Sequence, residues 1–296
     1  MSSINRRRFL ATTAAAGLAR AASPPSASRY HLRYAPRLDV LPELPMARKL
    51  EIFAEWGFPA FEYNPLPRHE MREIEALRKK REELGMAMGV FHLNSAGWKG
   101  DSLVDKKFHE PFLKDVSKAV EIWNVMENEA ATVTTGVAVD YLSHDEQTRN
   151  CIEGLKRAAE IVDGTGMELV LEPINRRQTG ADYFVVYSGH AVEIVSAVNH
   201  PQVRILFDIF HQQISEGDLI RHIREHWDWI GYFQVGDVPG RNEPYTGEIN
   251  YQNVFKAIYD QGFDGIVGME HGLSAPGLEG LEKCFEAYRR ADAWDG

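Results

Sequence analysis

The stretch Thr165-Gly166-Met167-Glu168-Leu169-Val170-Leu171-Glu172 joins the end of an amphipathic segment to a short apolar run that closes on a carboxylate. Glycine just past a helix end takes the left-handed conformation without a Cβ clash, so this stretch predicts a helix, its cap and then a strand. The pattern recurs at Trp56-Gly57-Phe58, Leu84-Gly85-Met86 and Gln261-Gly262-Phe263. Helices and strands therefore alternate along the chain.

The candidate strands are short and mostly apolar without regular alternation, which is typical of a parallel sheet buried on both faces. They are His31–Tyr34, Ala60–Tyr63, Met88–His92, Thr132–Val137, Glu168–Glu172, Arg204–Asp208, Ile230–Gln234 and Gly265–Glu270. Eight such strands alternating with helices predict an α/β fold, a (β/α)8 TIM barrel, over residues 30–296. An open doubly wound sheet is less favoured, since it needs a glycine-rich turn where the chain has Tyr34-Ala35-Pro36-Arg37.

The N-terminal residues have the pattern of an export signal. Asn5-Arg6-Arg7-Arg8-Phe9-Leu10 precedes an uncharged Ala-rich run and Ala19-Arg20-Ala21, a small-x-small cleavage pattern. We expect residues 1–22 to be a twin-arginine-type signal, 23–29 to be a linker, and the protein to be periplasmic or extracellular. A basic tail is the alternative.

Composition narrows the class of function. The chain is 44% hydrophobic and 26% charged, and no run is long and apolar enough for a membrane span. Residues 1–22 carry four arginines and no acid, so removing them lowers the formal charge from −10 to −14. Such an acidic surface repels phosphate backbones and argues against nucleic acid as a partner, although a homo-oligomer stays open. The two cysteines, Cys151 and Cys284, are expected to be buried thiols.

Polar side chains close the last four predicted strands. They are Glu172, Asp208, Gln234 and Glu270. In a barrel these residues share the C-terminal rim, where catalytic residues gather. Three converging carboxylates repel one another unless a cation neutralises them, and oxygen ligands suit a hard divalent ion, Mg²⁺ or Mn²⁺. Ordinary loop-capping residues at strand ends are the alternative interpretation.

The same region resembles the hydroxypyruvate isomerases, within the xylose-isomerase-like barrels. The matching motifs are Leu171-Glu172-Pro173-Ile174-Asn175, Asp208-Ile209-Phe210-His211, Gln234 to Pro244, Gly247-Glu248-Ile249-Asn250-Tyr251 and Gly268-Met269-Glu270. The resemblance is dense from about Glu168 to Glu270, with several motifs in order at matching separations, and thin before it.

The resemblance implies roles for the strand-end residues. It makes Glu172, Asp208, Gln234 and Glu270 the metal ligands, and Glu172 and Glu270 also the catalytic proton-transferring pair. It implies that hydroxypyruvate and tartronate semialdehyde interconvert, with the small hydroxy-carbonyl substrate contacted by His211 and Arg241. A surface salt bridge to Glu243 is the alternative for Arg241. His92 and Glu62 are weaker candidates for substrate binding at the barrel mouth.

Three other functions stay open. A ketose 3-epimerase or sugar isomerase would share fold, metal and glutamates, but Gln178 stands where related epimerases place a substrate-binding glutamate. A multi-zinc endonuclease barrel would need extra histidines on the fourth and seventh strands, which here contain Thr132-Val133-Thr134-Thr135 and end in Gln234. A non-catalytic exported barrel that binds sugar or metal is the third. The unfamiliar loop Asn94–Lys107 and His271-Gly272 after Glu270 also shape the pocket.

Overall fold

The computed structural model describes residues 30–94 and 103–294. The predicted signal, the linker and residues 95–102 of the Asn94–Lys107 loop lie outside the described residues. Over the described part of the chain, no helix combines the length and the apolar character that crossing a membrane requires.

Parallel strands form the wall of the barrel. They are β1 (Arg33–Pro36), β2 (Ala60–Phe61), β3 (Ala87–Met88), β4 (Val90–His92), β5 (Ala130–Val133), β6 (Glu168–Leu171), β7 (Val203–Asp208), β8 (Ile230–Gln234) and β9 (Ile266–Met269). Seven of them pair in the order β1-β9-β8-β7-β6-β5-β4, and β2 pairs with β3.

Strands β3 and β4 are two halves of one barrel strand, interrupted at Gly89. A Cβ at Gly89 would lie 2.1 Å from the Tyr232 hydroxyl, so only glycine fits there. The barrel closes between β1 and β2, where Arg37 bridges Glu62 in parallel and the Glu62 amide donates to the Pro36 carbonyl at 3.1 Å. Eight strand positions therefore surround the axis, and the predicted barrel is confirmed.

Helices cover the outside of the wall. They are α1 (Met46–Glu55), α2 (Met71–Glu83), α3 (His109–Met126), α4 (His144–Val162), α5 (Arg176–Thr179), α6 (Ser188–Val198), α7 (Ile209–Ser215), α8 (Leu219–Glu225), α9 (Tyr251–Asp260) and α10 (Gly277–Ala291), with 3-10 turns at Leu66–Arg68, Lys106–Phe108 and Trp227–Trp229.

Helix α4 shows why these segments become helices. Ser143 and Glu146 form a capping box that satisfies free amides at its start. Its apolar stripe, including Leu155 and Val162, is fully buried against the sheet, and Cys151 lies in the same stripe. Both cysteines are buried and unbridged, as predicted.

The barrel interior is filled by side chains contributed by successive strands. This inner cluster comprises Ala35, Ala60, Val90, Ala130, Val170, Leu206, Tyr232 and Ile266. The filled interior closes the barrel to through-passage, so small molecules reach the strand ends only from the rim.

The observed strands lie close to the predicted positions, although their first and last residues differ by a few positions. The first strand begins two residues later than predicted, and the fourth begins and ends earlier. The residues that close the four C-terminal strands keep their predicted positions at or directly after β6, β7, β8 and β9.

Candidate active site

Four adjacent strands carry the candidate metal ligands to one rim. Glu172 follows β6, Asp208 ends β7, Gln234 ends β8 and Glu270 follows β9. Asp208 pairs in register with Gln234, which pairs in turn with Gly268. Glu172, Asp208 and Gln234 are buried, and the Glu270 carboxylate is 17% exposed. The structure therefore brings all four residues together at the C-terminal end of the barrel, as the sequence predicted.

The Arg241 guanidinium bridges two of these carboxylates. One terminal nitrogen, Nη2, lies 2.7 Å from both Asp208 Oδ2 and Glu270 Oε2. The guanidinium also covers the face of Phe210 at 4.8 Å from the ring centre. Glu243 instead accepts hydrogen bonds from the amide and hydroxyl of Ser274. The alternative of a surface salt bridge between Arg241 and Glu243 is therefore wrong, because the arginine points into the site.

The loop that carries Arg241 is organised by the buried side chain of Asp237. Its carboxylate accepts from the amides of Val238, Gly247 and Ile249 at 2.9–3.1 Å. Arg241 itself has a positive φ of 51°, and its amide donates to the Asp237 carbonyl at 2.7 Å. These contacts fold the loop back over the rim, so that the guanidinium reaches Asp208.

His211 is held in one tautomer by Asn175. The Gln178 amide donates to Asn175 Oδ1 at 2.7 Å, which turns Asn175 Nδ2 toward His211 Nδ1 at 2.6 Å. The Asn175 backbone amide also donates to Nδ1 at 3.3 Å. Since Nδ1 accepts, the ring proton resides on Nε2, which lies 3.5 Å from Glu172 Oε1 and 3.4 Å from Asp208 Oδ2. His211 is therefore a hydrogen-bond donor into the site.

Glu62 lies beside Gln234, at the end of β2. Its Oε2 accepts from Gln234 Nε2 at 3.2 Å and from the Tyr232 hydroxyl at 3.3 Å. A Cβ at position 268 would lie 1.9 Å from Glu62 Oε2, so Gly268 provides the space for this carboxylate. The contact directs the amide oxygen of Gln234 away from Glu62.

The donor set fits a hard divalent cation. Among the described residues, Glu172 Oε1 and Gln234 Oε1 are buried oxygens with no hydrogen-bond partner. Glu172, Asp208 and His211 each offer a ligand atom within 4.8 Å of the others. Because the His211 tautomer makes Nε2 a donor, the ligands would be oxygens of Glu172, Asp208 and Gln234, the type that Mg²⁺ and Mn²⁺ prefer. Glu270 would be the fourth ligand, and its two oxygens here accept from Asn64 and Arg241.

Burial shifts the proton affinities of the site. It raises the pKa of Glu172 well above its usual value, and the charges of Glu270 and Asp208 raise it further. Burial also raises the pKa of Asp208 to about 6, although Arg241 opposes the rise. The pKa of Glu62 is raised, first by burial and then by Glu270, and burial lowers the pKa of His211 well below its usual value. The imidazole is therefore neutral at pH 7, whereas Glu62, Glu172 and Asp208 hold protons unusually strongly.

The remaining predicted site residues lie around this centre. His92 ends β4, its Nε2 lies 3.2 Å from Thr134 Oγ1, and burial lowers its pKa to about 4. Gln178 is exposed on α5. His271 is buried in the core, 2.9 Å from the Tyr288 hydroxyl.

Sequence analysis missed Asn64, whose Nδ2 donates to Glu270 Oε1 at 2.7 Å. It also assigned no role to Asn175 or Asp237, although both lie within the quoted motifs. Asn64 lies three residues beyond β2, where Glu62 holds the strand-end position, so no strand-end pattern marked it.

Comparison with known proteins agrees with this architecture. The profile of the family described as Xylose isomerase-like TIM barrel matches residues 50–290. A relative from Danio rerio with the provisional name hydroxypyruvate isomerase is 30% identical over 260 residues, covering 83% of this chain and 92% of its own. The hydroxypyruvate isomerase of Escherichia coli (strain K12) is 27% identical over 263 residues, covering 87% of this chain and all of its own.

A crystal structure described as an AP endonuclease, family 2, from Brucella melitensis is similar in fold, with a TM-score of 0.76. It is 25% identical and covers 84% of this chain and 96% of its own.

Proposed function

Since the chain belongs to the xylose isomerase-like TIM barrel family and is an isomerase, we propose that it interconverts hydroxypyruvate and tartronate semialdehyde with a bound Mg²⁺ or Mn²⁺ ion. The observation that supports this most is the group of three carboxylates and one amide oxygen on adjacent strands, all buried except Glu270, with Nε2 of the neutral His211 facing Glu172 and Asp208. With a divalent ion bound, the ion, His211 and Arg241 would together stabilise negative charge on a small oxygen-rich substrate.

Glu172, Asp208, Gln234 and Glu270 would hold the ion. When bound, the ion supplies Lewis-acid chemistry, since it polarises the substrate carbonyl and acidifies the neighbouring C–H. The four side chains come from four adjacent strands of a rigid barrel wall, so their oxygens are positioned before the ligand arrives.

The reaction itself is a proton transfer between neighbouring carbons. One glutamate removes a proton from C3 of hydroxypyruvate, which gives an enediolate, and a carboxyl group returns a proton to C2. The proton of the C3 hydroxyl moves to the C2 oxygen, so C3 becomes the aldehyde and C2 the alcohol. The raised pKa of Glu172 suits this work, because a buried carboxylate with like charges nearby takes up a proton readily. The Nε2 proton of His211 is placed to donate to the enediolate oxygen, and Arg241 to bind the substrate carboxylate.

Hydrogen exchange with solvent tests the proposal directly. The Mn²⁺-loaded protein is incubated with hydroxypyruvate in D₂O, and NMR locates any deuterium. We expect deuterium at C2 of tartronate semialdehyde, and none with Glu172→Gln. Absence of both product and deuterium with the wild-type protein would reject the isomerase reaction on this substrate.

The alternatives give different outcomes in the same assay. A ketose 3-epimerase or sugar isomerase would exchange deuterium into short ketoses and leave hydroxypyruvate unchanged. A non-catalytic sugar- or metal-binding barrel would bind its ligand without exchange. Cleavage of DNA at abasic sites would favour the endonuclease, although the acidic charge and Thr132 and Gln234 at the strand ends argue against it.

We also propose that residues 1–22 direct export. The paired arginines before Phe9-Leu10 are the feature that supports it. Changing Arg6 and Arg7 together to lysine should retain the protein in the cytoplasm on cell fractionation, whereas an unchanged distribution would reject a twin-arginine route.

A further inference from the structure

A second group of metal-ligating side chains lies far from the rim, on helix α8. Glu225 and His226, the residue that caps α8, lie three and four residues after His222, which places all three on one face at the end of the helix. Each offers a ligand atom within 4.8 Å of the other two. A pair of histidines four residues apart on a helix, with a carboxylate beside them, is a ligand arrangement that binds zinc-type ions.

The orientation of His222 is the second observation. Its Nδ1 is buried and has no hydrogen-bond partner among the described residues, and it faces Glu225 Oε2 at 3.9 Å. That distance is too long for a hydrogen bond and short enough for one ion to contact both atoms. The rings of His222 and His226 are nearly parallel, at 5.9 Å between centres. A buried imidazole nitrogen is thus aimed at a carboxylate that it does not reach.

The charges around the group favour a cation. The negative charges of Glu216 and Glu225 both lie close enough to act on the His226 ring. Asp218 lies one turn before His222. Arg221 forms ion pairs with Asp218 and Glu225. The second carboxylate oxygen of Glu225 contacts Arg221 at 3.3 Å, which leaves Oε2 for the ion.

This group lies at the opposite end of the barrel from the catalytic rim. Helix α8 runs through the 3-10 turn Trp227–Trp229 into Ile230, the first residue of β8, whereas Gln234 ends the same strand. The two groups therefore lie on opposite faces of the barrel and are chemically distinct. Two imidazoles and one carboxylate suit a borderline transition-metal ion, unlike the all-oxygen set at the rim.

We propose that His222, Glu225 and His226 form a second metal site, which binds Zn²⁺ or a similar transition-metal dication through three protein ligands, with solvent completing the coordination. The ion joins the last turn of α8 to the segment that enters β8. The site does not depend on the isomerase reaction, since none of its ligands lies at the rim.

Zinc titration of the full chain tests the site. Isothermal titration calorimetry with Zn²⁺ alone compares the wild type with the double variant His222→Gln/His226→Gln, which should bind one zinc equivalent fewer. His200→Gln is the matched control, because His200 lies 3.6 Å from Asp163 with only that one carboxylate, and it should retain the full stoichiometry. Asp208→Asn should also keep the zinc bound at α8.

Thermal unfolding gives a second readout. Zinc should raise the melting temperature of the wild type and of His200→Gln more than that of the double variant, because a ligand of the native state stabilises it. If the double variant is poorly folded, Glu225→Gln, which changes only an exposed carboxylate, should weaken zinc binding instead. Equal zinc stoichiometry and affinity in the wild type and in the α8 variants would overturn the proposal.

Discussion

Gln234 and Glu62 are joined across the barrel mouth by a hydrogen bond from Gln234 Nε2 to Glu62 Oε2, 3.2 Å long. The Gln234 side-chain oxygen has no partner among the described residues. Glu62 Oε2 accepts this bond and one from the Tyr232 hydroxyl, so Glu62 favours the orientation in which Gln234 presents its oxygen elsewhere. Glu62 thereby orients a proposed metal ligand, as outer partners commonly do at metal sites.

We expect Glu62→Gln to weaken Mn²⁺ binding about tenfold, the lower end of what losing an outer partner costs. The new amide both donates and accepts, so the preference for one Gln234 orientation is lost. Mn²⁺ titration by calorimetry measures the change, and Glu248→Gln on the exposed loop should bind Mn²⁺ normally. If Glu62 instead contacts substrate, its replacement will raise KM and leave Mn²⁺ affinity unchanged.

Gly268→Ala should disturb the contact between Glu62 and Gln234 by pushing the Glu62 carboxylate out of its place. The added methyl group would lie 1.9 Å from Glu62 Oε2 and 3.1 Å from Tyr232 Cε1, so the carboxylate must move. We expect a loss of about 1–3 kcal/mol in the free energy of unfolding, as for other overpacked cores. Glu62→Ala should recover part of that loss in the double variant, which urea unfolding measures as a non-additive cycle. If the two changes in unfolding free energy simply add in the double variant, the methyl group clashes with residues other than Glu62.

Glu172→Gln and Glu270→Gln should each abolish turnover and leave the fold intact. The amide has nearly the same volume but accepts no proton, and general acid–base catalysis contributes about 10²- to 10⁴-fold to rates. Deuterium incorporation from D₂O measures the loss, while circular dichroism checks the fold. Wild-type-like exchange in either variant would remove that glutamate from the proton-transfer step.

Fold and strand-end residues were predictable because their signals are local. Each helix, glycine cap and apolar strand occupies one short segment, and parallel strands in a barrel necessarily bring residues such as Asp208 and Gln234 to one rim. The exact first and last residues of each strand were harder to predict. Hydrogen bonds between neighbouring strands decide where pairing stops, and amino-acid composition does not reveal them.

Contacts between distant segments had no such signal. Asn64 and Glu270 are 206 positions apart, and Glu62 and Gln234 are 172 apart. Nothing in their neighbouring residues indicates that these side chains meet. The same holds for the His211 tautomer, which depends on how Gln178 orients Asn175.

The pH dependence of the unfolding free energy should reveal the raised pKa of Asp208. Burial raises the pKa of Asp208 to about 6 from the usual 3.8, so between these values the folded state keeps a proton that the unfolded state releases. The stability that this proton contributes is fully present below about pH 4 and is lost as pH rises through 6. Relative to Asp208→Asn, the metal-free wild type should lose about 2–3 kcal/mol in unfolding free energy between pH 4 and pH 7. Urea unfolding of both proteins across this range measures it. Saturating Mn²⁺ should reverse the trend, because the ion binds the ionised carboxylate.

Arg241→Met should make the protein depend more on its metal ion. The guanidinium nitrogen contacts both Asp208 and Glu270 at 2.7 Å, and its removal leaves a buried carboxylate uncompensated. We expect the metal-free variant to lose about 2–4 kcal/mol in unfolding free energy at pH 8. A divalent ion neutralises the same two carboxylates, so Mn²⁺ should stabilise Arg241→Met more than it stabilises the wild type.

A matched control separates the greater Mn²⁺ stabilisation of Arg241→Met from the general effect of removing a partly buried arginine. Arg204 pairs with Glu168 at 3.6 Å at the amino end of the barrel, with a similarly small exposed fraction. In Arg204→Met, Mn²⁺ should stabilise the protein only as much as in the wild type, because no carboxylate at the rim has lost its partner. If Mn²⁺ raises the unfolding free energy equally in both variants, the ion does not bind between Asp208 and Glu270.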